Sequence, residues 1–189
     1  MRFPDGWPWI LSLTWGLNAR SDRSTQKPDN IGFDLSGTVK IFDFGLAKSL
    51  SDCEANKDGL YNLTGMTGAL RYMAPEVCLG KPYNLAADVY SWSMIMWYIL
   101  SLEPPFGLYS QEMIIDRVLK RGTRPSVFKS WSDSIGNLMK RGWHTEIAER
   151  PSFQEISLVL KQELIESDST VAGSMAGSVS GDSLPGIPE

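Results

Sequence analysis

Histidine occurs once in the 189 residues and cysteine twice, which excludes a histidine-rich zinc site and a disulfide framework. Cys53 and Cys78 are read as thiols, and His144 as a surface or half-buried residue near a helix end. No apolar run approaches the roughly 18 residues that a membrane span needs. The nearest, Trp7 to Leu17, follows Arg2 and Asp5, holds Pro8 and three tryptophans, and leads to no small-x-small cleavage site, so it does not read as a signal peptide. Asn62-Leu63-Thr64 is then an idle glycosylation sequon. The imbalance of charge is small too: 22 acidic residues against 18 Lys and Arg leave a net charge of -4, which gives no electrostatic reason to expect nucleic acid or an anionic membrane as partner. Lysine is absent before Lys27, and glutamate before Glu54.

With 42% hydrophobic and 21% charged residues, the chain has the balance of an ordinary globular protein with one sizeable core. Residues 1–26 show no periodicity, with Trp7, Trp9 and Trp15 crowded together and a polar stretch from Asn18 to Gln26, and are expected to be irregular. From Lys27 the pattern sharpens into a small hairpin: Ile31-Gly32-Phe33, a turn at Leu35-Ser36-Gly37, and Val39-Lys40-Ile41-Phe42. Asn30 precedes its first strand and Asp43 follows its second, so both reach the same end; on residue type alone they are also ordinary turn formers. Leu46 to Thr67 is polar and reads as a mobile loop whose Ser49, Ser51, Tyr61, Thr64 and Thr67 are either solvated hydroxyls or phosphorylation sites.

The remainder predicts helices. Ala86 to about Leu102 is apolar on nearly every face, the mark of a buried core helix, with Asp88 as an acid in its first turn and Pro104-Pro105 beyond its end. Ser110 is placed to cap a helix to about Arg121, and a short helix follows Ser132. Ser152-Phe153-Gln154-Glu155 has capping-box spacing ahead of a last helix carrying Ile156, Val159, Leu160 and Leu164. Residues 166–189, rich in Ser and Gly, are expected to form a disordered tail.

Two short motifs carry chemistry. Asp43-Phe44-Gly45 delivers one carboxylate into a glycine turn at the rim of a strand, and Ala74-Pro75-Glu76 opens a helix with an acid behind it. Each is weak alone. In this order, with the polar stretch Leu46 to Pro75 between them, they resemble the metal-binding motif, activation loop and closing motif of a protein kinase. Lys27-Pro28-Asp29-Asn30, Arg71-Tyr72-Met73 and Asp88-Val89-Tyr90-Ser91-Trp92 extend the likeness, which is greatest to the tyrosine-kinase-like group of serine/threonine kinases.

The resemblance implies a protein-kinase-like large lobe over residues 27–165, mainly α with a small β-hairpin, lacking the small lobe. It implies ATP and Mg²⁺ as cofactors, Asn30 and Asp43 as metal and cofactor ligands, and Lys27 as a catalytic charge on the phosphate. Phe44, Gly45, Glu76, Asp88 and Arg150 take structural roles, with Asp88 holding the catalytic loop and Glu76 pairing with Arg150 across the lobe. A protein substrate or binding partner and a cytoplasmic location follow from the same likeness.

Departures from the family pattern bear on activity. Alignment on Lys27 puts Thr25 where the proton-accepting Asp belongs, and a threonine has no useful basicity at neutral pH. Asp22, three residues earlier, lies up to about 10 Å away along an extended chain. Ala69 stands where such kinases keep a hydroxyl that meets the catalytic Asp and Lys. No Gly-x-Gly precedes Asp43, and neither a lysine nor a glutamate precedes Lys27, so the usual phosphate-covering loop and its Lys–Glu pair have no counterpart here. ATP binding is therefore expected to be weak or absent. Three readings stay open: a protein kinase domain inactive as written, a non-catalytic interaction module, or an incomplete or misjoined product of a kinase gene.

Overall fold

A computed structural model of the chain describes residues 21–22, 27–50, 53–66 and 68–176. Two antiparallel strand pairs lie ahead of a helical body: β1 (Ser21–Asp22) with β4 (Lys48–Ser49), and β2 (Ile31–Phe33) with β3 (Val39–Ile41). The hairpin has the expected strands, in the register Ile31 to Ile41 and Phe33 to Val39. Asp34 closes its turn. The Oδ1 of that carboxylate accepts from the Ser36 amide at 3.0 Å, the Ser36 hydroxyl at 2.6 Å and the Thr38 amide at 2.9 Å, and Gly37 supplies the positive φ of 78°. The Ser36 hydroxyl, followed by the amide bonds, holds the Asp34 pKa below the usual carboxylate value.

β1 corrects the reading of residues 1–26 as irregular throughout. Its pairing with Lys48–Ser49 is a backbone interaction between distant segments, which hydrophobic periodicity does not record. Residues 1–20 and 23–26 lie outside the described part of the chain.

The core is built on α2 (Ala86–Ser101), which follows the one-turn helix α1 (Pro75–Cys78). Val89, Tyr90, Trp92, Met94, Ile95, Met96 and Trp97 are all buried, leaving little of α2 facing solvent. Three of its interior polar groups are satisfied locally or across the fold: the Ser91 hydroxyl donates to the Tyr72 carbonyl at 2.8 Å, Ser93 to the Val89 carbonyl at 2.8 Å, and the Trp97 indole to the Ser126 carbonyl at 2.9 Å. The helix stops one residue earlier than expected. Leu102 turns left-handed at φ 59°, and its amide returns to the Tyr98 carbonyl at 2.9 Å, a capping position where glycine is more usual.

Ser110 accepts from the Met113 amide at 3.3 Å and so caps α3 (Gln111–Met113), as its sequence position suggested. The helix does not continue as an α-helix: Ile114–Lys120 is a π-helix. Its buried residues are Ile114, Val118 and Leu119, a spacing of four and five that a wider turn keeps on one side. α4 (Asp133–Gly142) is capped by Ser132, which accepts from the Ile135 amide at 3.2 Å. It crosses close over α2. A Cβ on Gly142 would lie 2.7 Å from the Ser93 hydroxyl oxygen, so glycine is what permits the approach.

Ser152 caps the last helix, α5 (Phe153–Ala176), through the Glu155 amide at 3.2 Å, while the Glu155 carboxylate goes to Arg141 at 2.5 Å. This helix runs past residue 166, where the tail was expected to begin. The serines do not break it, because Ser167 and Ser169 return their hydroxyls to the carbonyls of Leu164 and Ile165, both at 2.8 Å. Residues 177–189 lie outside the described part. No helix among the described residues is long and apolar enough to cross a membrane.

Glu76 of α1 and Arg150, 74 positions apart, form a bidentate pair at 2.6 and 2.9 Å. The guanidinium also donates to the carbonyls of Ala86 at 3.0 Å and His144 at 2.9 Å. Its face lies 5.3 Å from the centre of the Tyr90 ring, and Arg124 covers that ring at 5.1 Å. Burial pushes the Tyr90 hydroxyl up to about 12 against the pull of the two arginines. Tyr90 Oη and Arg124 Nη2 are the buried side-chain polar atoms without a hydrogen-bond partner among the described residues.

Removing one member of the Glu76–Arg150 pair leaves a desolvated charge, at a cost of roughly 3–5 kcal/mol. Glu76→Ala and Arg150→Ala are each expected to destabilise the chain by that order, and the double variant by much less than their sum. Denaturant unfolding of the four proteins in a double-mutant cycle measures this, and strictly additive losses would contradict it. Tyr90→Phe is expected to cost less than about 1 kcal/mol or to stabilise, because it keeps the ring that both arginines meet and removes an unpartnered hydroxyl. The same unfolding measurement checks it against Tyr90→Leu, which loses the ring and is expected to be the worse of the two.

Candidate active site

Asn30 ends a 3-10 turn, Pro28–Asn30, whose proline stands at its start where a missing amide is tolerated. The turn closes through the Asn30 amide to the Lys27 carbonyl at 3.0 Å, and the Asn30 carbonyl then accepts from the Phe42 amide at 3.0 Å. That second bond brings the residue before β2 alongside the residue before Asp43. Asn30 is buried and Asp43 exposed at the same end of the hairpin. The backbone at Asp43 is left-handed, with φ 63°, a conformation that aspartate tolerates better than most side chains. Its carboxylate accepts from the Gly45 amide at 3.3 Å, and the Ala47 amide closes the turn on the Phe44 carbonyl at 3.0 Å.

The side chains of Asn30 and Asp43 carry hard oxygen donors, of the kind that suits Mg²⁺ rather than a soft metal. Among the described residues no group of three or more His, Cys, Asp or Glu side chains is placed to hold a metal. Lys27 stands at the opening of the turn with its ammonium 3.6 Å from the Asp29 carboxylate. Thr25 lies outside the described residues, and Asp22 pairs along β1 with Lys48.

Phe44 does not enter the core; it is half exposed, like Phe42, and Gly45 sits beside the Asp43 carboxylate. Leu46 is also exposed beside them, and Phe33 and Leu35 are exposed at the opposite, turn end of the hairpin. Asp88 is fully buried in the first turn of α2.

The loop from Leu46 onward is tied down in part. Tyr61 bridges Tyr83 through paired backbone bonds of 2.8 and 3.1 Å, and the Asn56 side chain accepts from the amides of Asp58 and Leu60 at 2.9 and 3.0 Å. Among its hydroxyls Ser49 and Thr64 are exposed and Tyr61 is half-buried, while Ser51 and Thr67 lie outside the described residues.

Arg71 has a role that sequence reasoning did not assign. Its guanidinium donates to the Pro105 carbonyl at 2.5 Å and to the Phe106 carbonyl, fastening the segment before Ala74 to the turn after α2. Both acceptors are backbone atoms more than thirty positions away, so no local spacing could have marked them.

A sequence profile of the family described as protein tyrosine and serine/threonine kinase matches residues 28–160. The chain is 32% identical over 159 residues to the dual specificity protein kinase shkB of Dictyostelium discoideum, covering 83% of this chain and 23% of that protein. It is 32% identical over 140 residues to the serine/threonine-protein kinase STY17 of Arabidopsis thaliana, covering 74% of this chain and 23% of that protein. To the serine/threonine-protein kinase mos of Patiria pectinifera it is 33% identical over 138 residues, covering 72% of this chain and 39% of the relative. It therefore spans well under half the length of these relatives. With the profile covering most of the chain and the Asn30, Asp43, Glu76 and Arg150 framework folded as described, the chain belongs to the protein tyrosine and serine/threonine kinase family.

Proposed function

We propose that this chain is the metal-binding, large-lobe part of an ATP-dependent protein serine/threonine kinase, and that these 189 residues alone do not complete phosphoryl transfer. The observation that carries the first half is the Phe42 amide to Asn30 carbonyl bond, which holds the two candidate metal ligands at one rim. Asn30 and Asp43 are the residues that would hold Mg²⁺, and Mg²⁺ in such a site neutralises charge on the ATP phosphates. Lys27 supplies a further positive charge once it leaves Asp29. Phe44 and Gly45 shape the turn that presents the Asp43 carboxylate, and on the family reading Asp88, buried in the core, supports the catalytic loop. Glu76 and Arg150 hold the far end of the loop against the helical body.

The second half rests on chemistry that the sequence does not supply. Thr25 cannot accept the proton of a substrate hydroxyl, a step for which a positioned base is needed. Ala69 offers no hydroxyl to orient that base. Phospho-acceptor proteins are the substrate class on the family reading, in the cytoplasm. An interaction role is favoured by the exposed apolar side chains on the hairpin and after it, Phe42, Phe44 and Leu46 near the Asn30–Asp43 end and Phe33 and Leu35 at the turn end, which suit covering by another protein element.

Incubation of the chain with Mg²⁺, γ-labelled ATP and a generic basic protein is expected to give background transfer, identical in Asp43→Ala. Label transferred by the natural chain and lost in Asp43→Ala would overturn the inactive reading. The exposed apolar side chains of the hairpin predict self-association that rises with concentration in sedimentation velocity. A variant carrying Phe33→Thr and Leu35→Asn is expected to shift the population toward monomer, whereas a monomeric natural chain would remove the hairpin as an association surface.

A further inference from the structure

The loop that ends at Glu76 carries a sulfur contact that the kinase reading does not use. Cys78, in the last turn of α1, is 6% exposed, and its thiol donates to the Met66 sulfur at 3.8 Å. Met66 lies over it from the loop side and is itself 66% exposed. Burial pushes the Cys78 thiol pKa up, against the pull of Lys120, which keeps the sulfur protonated as a donor.

The backbone fixes this arrangement at two points. The Met66 amide donates to the Val77 carbonyl at 3.0 Å. A Cβ on Gly65 would lie 2.7 Å from that same carbonyl oxygen and 2.9 Å from the Gly80 Cα, so the loop lies against the end of α1 as closely as glycine allows. Met66 then takes φ 57°, a left-handed conformation that directs a long side chain where a β-strand would not.

Exposure separates Met66 from the other methionines whose side chains are described. Met73, Met94, Met96 and Met139 are 0–3% exposed, and Met113 is half-buried. A thioether reacts with peroxide where solvent reaches it.

We propose that Met66 is a redox-modification site, at which a peroxide converts the thioether to the sulfoxide and thereby uncovers the Cys78 thiol. The sulfur lone pair attacks the O–O bond; one oxygen is transferred to sulfur, and the other leaves as water. Sulfur loses two electrons and the peroxide gains them. The product is polar and wider at the sulfur. It no longer fits as an apolar cover between the Gly65–Met66 backbone and α1, so the cover turns outward. The modification acts on the loop between Asp43 and Glu76, the part of the chain that couples the rim to the Glu76–Arg150 pair, and it stands independently of whether the chain transfers phosphate.

The test uses the full chain treated with hydrogen peroxide, with thiols re-reduced by a phosphine before alkylation. Peptide mass spectrometry follows sulfoxide at each methionine and the iodoacetamide reaction at each cysteine. Met66 is expected to oxidise at least about tenfold faster than Met73, Met94, Met96 and Met139. While those four remain reduced, Cys78 is expected to alkylate about tenfold faster than before treatment, with Cys53 little changed. Met66→Leu keeps an apolar cover with nothing to oxidise, and peroxide is expected to leave its Cys78 rate unchanged. Met66 oxidising no faster than the buried methionines, a Cys78 rate that treatment does not alter, or the same acceleration in Met66→Leu would each overturn the proposal.

Discussion

The bidentate contact between Glu76 and Arg150 is the constraint on which the arrangement of the helical body depends. Both side chains are almost wholly withdrawn from solvent, and two buried charges are tolerable only where each finds its full set of partners. Arg150 meets that condition by reaching two carboxylate oxygens, two backbone carbonyls and an aromatic face at once. The acceptors come from α1, the start of α2 and the segment after α4, so satisfying one guanidinium fixes three parts of the chain against each other. Arg124, 5.1 Å from the centre of the Tyr90 ring, adds a second cation, which makes the ring the shared partner of two arginines.

That anchor defines one end of the loop between the two motifs, and the hairpin defines the other. At the hairpin end the holding forces are weaker and more local: one backbone bond from Phe42 to Asn30, and an aspartate turned left-handed onto its own glycine. The contrast has a physical logic. An exposed carboxylate such as Asp43 stays open to a ligand from solvent, whereas a structural pair gains geometric definition by leaving it. Between the two ends the Tyr61–Tyr83 bridge, the Arg71 contacts and the close approach of Gly65 to α1 distribute the attachment, so the loop is held at several points by backbone acceptors.

Much of this was legible in the residues. The extent of α2 followed from its all-round apolarity, the starts of α3, α4 and α5 from Ser110, Ser132 and Ser152, and the hairpin from two short runs about a glycine turn. These are local signals, set by side-chain chemistry within a few positions. The π-winding of Ile114–Lys120 was not legible, since its sequence periodicity is that of an ordinary amphipathic helix and the choice rests on what packs beside it.

The sequence by itself determined where the two motifs stand: an asparagine and an aspartate flanking one hairpin, and a single acid opening the helix that follows the loop. It also determined the helix starts, because capping hydroxyls act on amides only three positions away. Tertiary structure alone decided that β1 pairs with β4, that Arg71 reaches the carbonyls after α2, that α5 continues through its serines, and that Met66 closes over Cys78. Each of those depends on a backbone acceptor or a neighbouring sulfur brought close by the fold. Backbone carbonyls are the same at every position, so the sequence does not distinguish the ones that will be used.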